Sequence, residues 1–418
     1  MEFLTTVIGK VVLWGILGFG VAGMIGACFD DENGIGAEWQ KGIVQIGQIF
    51  WTVAGFFTLI PYLTKFAAVA FTKFSAFFGA DPAVLAGSLI VVDGGGYHLT
   101  RELAVSNETW ILAFFSSAML GCVLNFALPI GLTFVKERDK KYFSLGILGG
   151  VISTPFGVIL GGLLIMLFKP ELRSLISVNS ANDMTLNMTL PIILQNTMPL
   201  AIFCALLAIL LKVFPDQMCD GFIVFGKVLN AVLRAAFMIA VIQLYTGVFT
   251  DIFGSSWQFA PIIADEVELV RALEVCGMVG MMLCGAYPMI YVLNKYFGKQ
   301  LNAFGKALKF TSVGSLALIG QFVNEMALFT LFSEMRPRDK VRSLAFANGA
   351  AFILADQLTF TLNFQPNLYV PFAIAKIGTG LIALFIVDTL LGRTIERFEQ
   401  EDRASGVIAQ DEYLEECA

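Results

Sequence analysis

The sequence predicts an all-α membrane protein, a polytopic bundle of about ten or eleven transmembrane helices. Of its 418 residues, 57% are hydrophobic and only 14% are charged, whereas a soluble domain carries roughly 25% charged residues. Apolar runs of roughly 20 residues, each long enough to cross a hydrocarbon core of about 30 Å, recur along the whole chain. Polar residues, Gly and Pro interrupt several runs, which predicts interrupted or re-entrant helices that line a cavity or are buried in protein.

Composition argues against several other classes of protein. The net charge of -6 disfavours nucleic acid as a partner. The seven cysteines stand singly and the one histidine, His98, cannot build a metal site alone, so neither a metal nor another cofactor is predicted. The chain has no catalytic Ser/His/Asp pattern, no H-E-x-x-H and no P-loop, so we do not expect an enzyme. The expected partners are a small-molecule substrate and membrane lipid, and the oligomeric state stays open.

The stretch 79–103 differs from the other apolar segments. It begins with the turn signal Asp81-Pro82, continues through an apolar run and reaches Asp93, which three glycines follow directly. Because consecutive glycines do not hold a helix, this pattern predicts a helix broken at depth with a carboxylate at the break. An aromatic and basic segment before it, residues 65–78, suits a helix lying at the membrane interface. The remaining predicted spans are residues 3–28, 42–63, 109–135, 142–168, 190–214, 222–249, 267–296, 311–332, 343–364 and 368–391.

Three basic loops restrict the topology. Positive residues mark cytoplasmic loops, and residues 136–141, 295–309 and 336–342 are all basic. If residues 311–332 cross the membrane once, the last two loops cannot both be cytoplasmic. Either that segment is re-entrant or the positive-inside rule fails at one loop. We therefore expect residues 1–392 to form one transmembrane domain whose span count stays at about ten or eleven, followed by a polar, mobile tail over 393–418.

The chain also shows a weak internal two-fold repeat. Arg138-Asp139-Lys140 and Arg338-Asp339-Lys340 lead into similar sequences, and Gly121 and Asn125 match Gly320 and Asn324 at nearly the same offset. The repeat halves would be residues 79–168 and 285–391. Secondary transporters often show such repeats and bind substrate near the midplane between interrupted helices. Whether the halves are inverted or parallel depends on the basic-loop conflict.

Two aspartates are the main candidates for substrate binding. Asp93 and Asp356 each follow an apolar run, and an intramembrane carboxylate is a functional-site hypothesis by default. The alternative for Asp93 is a cap on a nearby helix N-terminus. A carboxylate buried without a cation is costly to ionise, so either residue would pair with a cationic substrate.

The other candidates are polar or aromatic residues near the predicted breaks. Glu325 and Asn324 interrupt one apolar segment, and Asn125 and Thr154 interrupt two others, although membrane asparagines commonly join helices. Tyr97 and Tyr287 could present a cation–π face to an ammonium group. Charged residues at segment ends, which suit gating or structural ion pairs and a helix start, are Glu102, Arg101 and Glu274.

Four blocks of sequence resemble one known family. GADPAVLAGSLIVVDGGGYHLTREL, LGILGGVISTPFGVILGGL, RALEVCGMVGMMLCGAYPM and AAFILADQLTF occur in that order between Gly42 and Leu391 and are similar to the EutH family of ethanolamine permeases. The resemblance implies a multi-pass transporter of the bacterial inner membrane that admits ethanolamine for a cobalamin-dependent lyase pathway. Its matching positions are Asp93, Glu102, Glu274, Tyr287, Asn324 and Asp356. This chain departs from the family pattern at Glu325, Gln357 and His98, which leaves substrate preference open.

The residues themselves leave alternative functions open. Ethanolamine is a small cationic alcohol, so Asp93 and Asp356 could bind its ammonium group while Asn324, Asn125 or Thr154 bonds its hydroxyl. A carrier for an amino acid or another amine is the main alternative, and an amino acid would need a cationic partner such as Arg101 or Arg234. A membrane assembly subunit without transport activity is less favoured, because its polar residues need not gather at matching breaks.

Overall fold

The computed structural model describes residues 2–257, 259–264, 270–322, 325–354 and 356–409. Regular structure in these residues is almost entirely helical, which confirms the all-α prediction. One antiparallel strand pair, β1 (Leu172–Arg173) and β2 (Asn182–Met184), is the exception. The helices are α1 (Glu2–Phe29), α2 (Gly34–Phe77), α3 (Ala83–Gly87), α4 (Gly96–Leu103), α5 (Asn107–Ser116), α6 (Leu128–Phe134), α7 (Lys140–Val151), α8 (Thr154–Phe168), α9 (Leu190–Val213), α10 (Pro215–Thr246), α11 (Val248–Phe253), α12 (Ala272–Ala307), α13 (Ser312–Gly320), α14 (Glu325–Leu331), α15 (Pro337–Ala350), α16 (Asp356–Phe364), α17 (Tyr369–Ile386) and α18 (Gly392–Ala404).

By length and apolar composition, six helices of the described residues can cross a membrane, or up to eight if each of two bent pairs is one span. The six are Asn107–Leu132, Glu137–Phe168, Leu190–Val213, Pro215–Thr246, Ala272–Leu293 and Pro366–Ala404. The bent pairs lie within α1–α2 and within α2. This confirms a multi-pass bundle, but these criteria give fewer than the expected ten or eleven spans. The segments 79–103, 311–332 and 343–364 are divided into shorter helices, and for that reason they are not among these spans.

Three basic segments that the sequence predicts as loops have contacts on one side of the bundle, which we call the basic face. Residues 295–307 belong to helix α12 and residues 337–342 to helix α15, so these two segments are helix ends and not loops. Lys340 Nζ lies 2.7 Å from Asp139 Oδ1, so the segments 136–141 and 336–342 are in contact. Arg336 donates a hydrogen bond to the backbone carbonyl of Lys309, at 3.0 Å. Arg342 donates to the carbonyl of Leu308, at 2.8 Å. The 136–141 and 336–342 segments and the end of the 295–309 segment can therefore be cytoplasmic together, as the positive-inside rule requires.

Residues 311–335 enter the bundle from the basic face and return to it. At the entry, the backbone amide and the hydroxyl of Thr311 both donate to Asp339 Oδ2, at 2.9 and 2.7 Å. With a rise of about 1.5 Å per residue, α13 reaches only about 13 Å, less than half of a hydrocarbon core. The segment is re-entrant, which resolves the conflict between the basic loops. We call residues 311–335 the second hairpin; residues 323 and 324 lie outside the described residues.

Residues 81–105 form a first hairpin of the same kind at the opposite face. Asp81 Oδ2 accepts hydrogen bonds from the Val105 amide and the Thr109 hydroxyl, both at 2.6 Å, so the entry and exit of this segment are adjacent. The run from α5 to α6 then leads away from this face and ends at the loop that carries Asp139. The two hairpins therefore enter from opposite faces.

Each hairpin is followed by two helical runs, and the two sets run in opposite directions. After the first hairpin come α5–α6 and α7–α8, and after the second come α15–α16 and α17–α18. The Arg138-Asp139-Lys140 and Arg338-Asp339-Lys340 matches do not fit this antiparallel arrangement. The helices next to them, α7 and α15, are parallel neighbours that both begin on the basic face. An alanine Cβ at Gly146 would lie 2.8 Å from the Val341 carbonyl oxygen, which shows how closely these two helices pack. A duplication of 79–168 and 285–391 stays a prediction.

The expected helix interruptions are found. Asp93 lies in a 3-10 turn, Val92–Gly94, between α3 and α4. One helix ends at Val151 and the next begins at Thr154, with Pro155 in its first turn. Ala350 and Asp356 bound the third break.

The tail over residues 393–418 is helical as far as Ala404 and is packed in its described part, while its mobility stays a prediction. Helix α18 continues from α17 through a π-helical turn and ends at Ala404. Asp402 is buried, and its two carboxylate oxygens accept from Lys141 Nζ and the Tyr142 hydroxyl, each at 2.6 Å. The helix is therefore attached to the basic face; residues 410–418 lie outside the described residues.

Candidate functional site

A cavity of about 30 Å³ lies where the tip of the first hairpin faces the break between α15 and α16. Two carboxylates, two amides, a thiol, a hydroxyl and three phenylalanine rings are among the groups around it. Both main candidates of the sequence, Asp93 and Asp356, are brought to it. Its described lining residues are Thr52, Val53, Phe56, Val91, Asp93, Gly94, Cys122, Asn125, Phe126, Phe352, Asp356 and Gln357.

The glycines after Asp93 allow the hairpin tip to turn. Gly95 has a φ of 104°, which disfavours any residue with a Cβ. At Gly96 an added Cβ would lie 2.1 Å from Ser117 Oγ, so the backbone approaches the neighbouring helix as closely as only glycine permits. The carboxylate of Asp93 is thereby held at the cavity, and its Oδ1 is buried without a hydrogen-bond partner among the described residues.

Asn125 anchors the tip and has its own hydrogen bonds occupied. Its Oδ1 accepts from the Val91 amide at 2.5 Å, and its Nδ2 donates to the Leu89 carbonyl at 3.0 Å. It lies in a π-helical turn, Val123–Ala127, which turns the side chain toward the hairpin. Asn125 lines the cavity, but its geometry is that of a support for the tip.

The second hairpin meets the broken helix before Asp356 through backbone hydrogen bonds. The amides of Phe352 and Leu354 donate to the carbonyls of Gln321 and Phe322, at 3.0 and 2.8 Å. Phe352 has a φ of 60°, a left-handed conformation that is strained for a bulky residue and is a known feature of functional sites. Asp356 lies four positions after Phe352, is 4% exposed, and keeps Oδ1 without a hydrogen-bond partner in the described part of the chain.

Glu325 is the third acidic group of this region. It begins α14 on the second hairpin and is 1% exposed. Its Oε2 is buried and accepts no hydrogen bond from the described residues. Asn324, the neighbouring candidate, lies outside the described residues, so its position stays open.

A buried lysine that the sequence analysis missed lies among these acids. Lys376 on α17 is fully buried, and its ammonium group donates to the Ala118 carbonyl at 3.1 Å and to Gln357 Oε1. It interacts electrostatically with Asp93 and Glu325. A signal was available: Lys376 is the one charged residue between Tyr369 and Ile386.

Three other candidates are not among the described residues that line the cavity. Tyr97 stacks on Trp110, with ring centroids 4.7 Å apart, and its hydroxyl accepts a hydrogen bond from Gln365. Thr154 is fully buried at the start of α8. Tyr287 is 8% exposed on α12. The aromatic faces at the cavity instead belong to Phe56, Phe126 and Phe352.

The candidate gating charges lie near segment ends. Arg101 places its guanidinium 4.3 Å from the ring centre of Trp110 and donates to Asn107. Glu102 accepts a hydrogen bond from Thr64 at 3.3 Å. Glu274 accepts the backbone amides of Arg271 and Ala264, at 3.2 and 3.1 Å, which is the geometry of a helix start.

Comparisons with known proteins agree with the earlier resemblance. The family model described as "Ethanolamine utilisation protein, EutH" matches residues 8–390. A protein of Listeria monocytogenes named "Probable ethanolamine permease EutH" is 27% identical over 399 residues, which cover 95% of this chain and 98% of that protein. The Escherichia coli protein of the same name is 28% identical, with 89% of each chain covered. The "Uncharacterized protein YxeR" of Bacillus subtilis is 24% identical over 90% of this chain and 91% of its own. No solved structure matches. This chain therefore belongs to the EutH family.

Proposed function

We propose that this protein is a bacterial inner-membrane permease that carries ethanolamine by alternating access, with Asp93 and Asp356 binding the ammonium group. Its family and the permease names of its relatives favour a transporter over an enzyme. The apolar helices of the bundle agree with a multi-pass membrane protein.

One observation carries the assignment of the site: the central acids lack partners that the outer acids have. Asp81, Asp139 and Asp339 are buried near the two faces, and both carboxylate oxygens of each accept hydrogen bonds. At the centre, by contrast, one oxygen lacks a partner within the described residues in each of Asp93, Glu325 and Asp356. Burying an unpaired carboxylate is costly, so a centre with several such oxygens favours a bound cation.

Ethanolamine fits the other groups around the cavity. Its ammonium group can approach the carboxylates and the face of a phenylalanine such as Phe56, Phe126 or Phe352. Its hydroxyl needs a polar partner, and Thr52 Oγ1 is buried beside the cavity without a hydrogen bond to the described residues. We therefore assign the hydroxyl contact to Thr52 rather than to Asn125, whose amide is occupied by the hairpin tip.

The cavity is too small for the substrate in this conformation. Its volume of about 30 Å³ is room for about two or three water molecules, since one water needs roughly 10–15 Å³ of such volume, whereas ethanolamine has four non-hydrogen atoms. Substrate entry therefore requires the hairpin tips to separate from the broken helices. Because the hairpins enter from opposite faces, opening each one would expose the site to a different side, as alternating access requires.

A carrier for a zwitterionic amino acid is the alternative that a specific observation favours. Lys376 places an ammonium group near the carboxylates, and an amino acid would need a cation for its own carboxylate. Serine is the informative competitor, because it is ethanolamine with one added carboxylate.

The test is uptake of radiolabelled ethanolamine into proteoliposomes that contain the purified protein. We expect saturable uptake above that of empty liposomes, with competition by small primary amines and weak competition by serine. Stronger competition by serine than by ethanolamine would favour the amino acid carrier. Absence of uptake for all amines and amino acids would overturn the transporter assignment and favour an assembly subunit.

A native thiol reports directly on the cavity. Cys122 lines it, whereas Cys204 is buried elsewhere against the Val151 carbonyl. We expect ethanolamine to slow modification of Cys122 by 2-aminoethyl methanethiosulfonate, measured by mass spectrometry of each cysteine peptide. Modification of Cys204 is the matched control and should not change. Equal protection of both thiols would indicate a general stabilisation instead of occupancy of the cavity.

A further inference from the structure

Lys376 is an internal cation that contacts neutral oxygens beside the acidic groups. Its hydrogen bonds go to the Ala118 carbonyl and to the amide oxygen of Gln357. Asp93 and Glu325 are near enough for electrostatic attraction, yet no carboxylate of the described residues forms a direct ion pair with Lys376. The ammonium group is therefore held close to the carboxylates, but it does not use their oxygens as hydrogen-bond acceptors.

Its two acceptors connect the lysine to both halves of the site. Ala118 lies in the π-helical turn Ser117–Gly121, which packs on the first hairpin, and Gln357 follows Asp356 in the first turn of α16. Gln357 also donates to the same Ala118 carbonyl at 2.8 Å. The lysine thus lies at the junction of the two broken helices that carry the candidate site.

A carrier has to reorient without its substrate to complete a cycle of net transport. With substrate bound, a substrate cation compensates the acidic groups. Without it, carboxylates would change sides uncompensated in a medium of low dielectric constant, which carries a large desolvation cost. A carrier can compensate the carboxylate charge in this step with a bound sodium ion or a proton. A cationic side chain of the protein can compensate the charge equally well.

We propose that Lys376 is the resident counter-cation that offsets one negative charge of Asp93 and Glu325 during the substrate-free return step, so that net ethanolamine transport needs no sodium ion. This inference rests on the proposed function. Lys376 would then act on the substrate-free site, where its ammonium group supplies the positive charge that the substrate otherwise brings. It does not bind the substrate itself.

The test compares net uptake with exchange in proteoliposomes containing Lys376→Gln. Net uptake into empty vesicles includes the substrate-free return, whereas exchange of external radiolabelled ethanolamine for internal ethanolamine does not. We expect net uptake in sodium-free buffer to fall by at least about tenfold, since an uncompensated buried charge is costly. Exchange should stay within about threefold of the wild-type rate, because the loaded forms keep their substrate cation.

Lys340→Gln is the matched control for loss of a buried ammonium group. Lys340 is also fully buried, but it pairs directly with Asp139 at the basic face. Its replacement should lower net uptake and exchange in parallel through loss of folded protein. A parallel fall in Lys376→Gln, or no change in either rate, would overturn the proposal.

The double variant Glu325→Gln/Lys376→Gln keeps the test valid if the single variant folds poorly. It removes one negative and one positive charge together, so the ratio of net uptake to exchange should return to within about threefold of the wild-type ratio. A ratio that stays collapsed in the folded double variant would refute the counter-cation role. If the wild-type protein itself shows neither exchange nor uptake of ethanolamine, the proposed function fails and not this inference alone.

Discussion

Replacement of Asp93 by asparagine isolates the charge of the hairpin tip. The amide keeps the volume of the side chain, and the tip itself is held by other groups, chiefly the two hydrogen bonds of Asn125. Helix α4 has Gly95 as its N-terminal cap residue and no side-chain cap hydrogen bond. We therefore expect Asp93→Asn to fold normally and to lose affinity for the cation.

The size of the loss follows from the Coulomb energy of the ion pair. At an effective dielectric constant near 20, two unit charges about 4 Å apart attract by roughly 4 kcal/mol. If desolvation cancels about half of this, the variant loses about 2 kcal/mol, which corresponds to roughly thirtyfold weaker binding. Asp93→Glu keeps the charge and should retain part of the affinity.

The assay is equilibrium binding of radiolabelled ethanolamine to detergent-purified protein, with thermal melting measured in parallel. Asp81→Asn is the matched control, since it makes the same change at the entrance of the same hairpin. There the carboxylate accepts from the Ala83 and Val105 amides and from the Thr109 hydroxyl. That variant should lose about 1–3 kcal/mol of folding free energy and therefore melt at a lower temperature. Its affinity for ethanolamine should not change. Near-normal ethanolamine affinity in Asp93→Asn would refute the binding role of the charge.

Three further outcomes test other parts of the structure. Asp356→Asn should weaken ethanolamine binding by about tenfold or more for the same reason, measured in the same assay; unchanged affinity would remove this residue from the site. Gly121→Ala places a methyl group 2.4 Å from a carbonyl oxygen of the first hairpin and should cost about 1–3 kcal/mol of stability. Gly221→Ala, which has no heavy atom within 4 Å, is its control in thermal melting, and equal melting would contradict the tight packing. Asp402→Asn removes the ion pair with Lys141 and should release the C-terminal helix to limited proteolysis; an unchanged digestion pattern would show that apolar packing alone holds it.

The sequence was sufficient for the helix breaks because glycine and proline act locally. Three glycines after Asp93 and the proline after Thr154 mark two breaks directly. The break before Asp356 has no such marker and depends on Phe352 holding a left-handed conformation through its hydrogen bond to the second hairpin. That constraint comes from a distant segment, so only the position of the acid suggested it.

The face from which each segment enters the bundle could not be predicted from the sequence, because it depends on which segments are in contact in the folded protein. The basic loops gave two consistent topologies, and the contacts of Asp139 with Lys340 and of Thr311 with Asp339 select the re-entrant one. For the same reason the sequence analysis missed Lys376 as a residue of the site. A lone lysine in an apolar helix is visible in the sequence, but its proximity to Asp93 and Glu325 is not.

Asp81 and Asp93 show why a carboxylate in a membrane segment is ambiguous until its partners are known. The two residues lie in one hairpin, and each stands beside turn-forming residues, although only Asp93 follows the apolar run of the hairpin. Asp81 is satisfied by the donors that close the entrance of the hairpin. Asp93 presents a buried oxygen without such a donor to a cavity that it shares with Asp356. Within the fold, hydrogen-bond donors offset the cost of burying the Asp81 charge, and we propose that a bound cation offsets the cost for Asp93. That difference is the basis for proposing a structural role for Asp81 and a recognition role for Asp93.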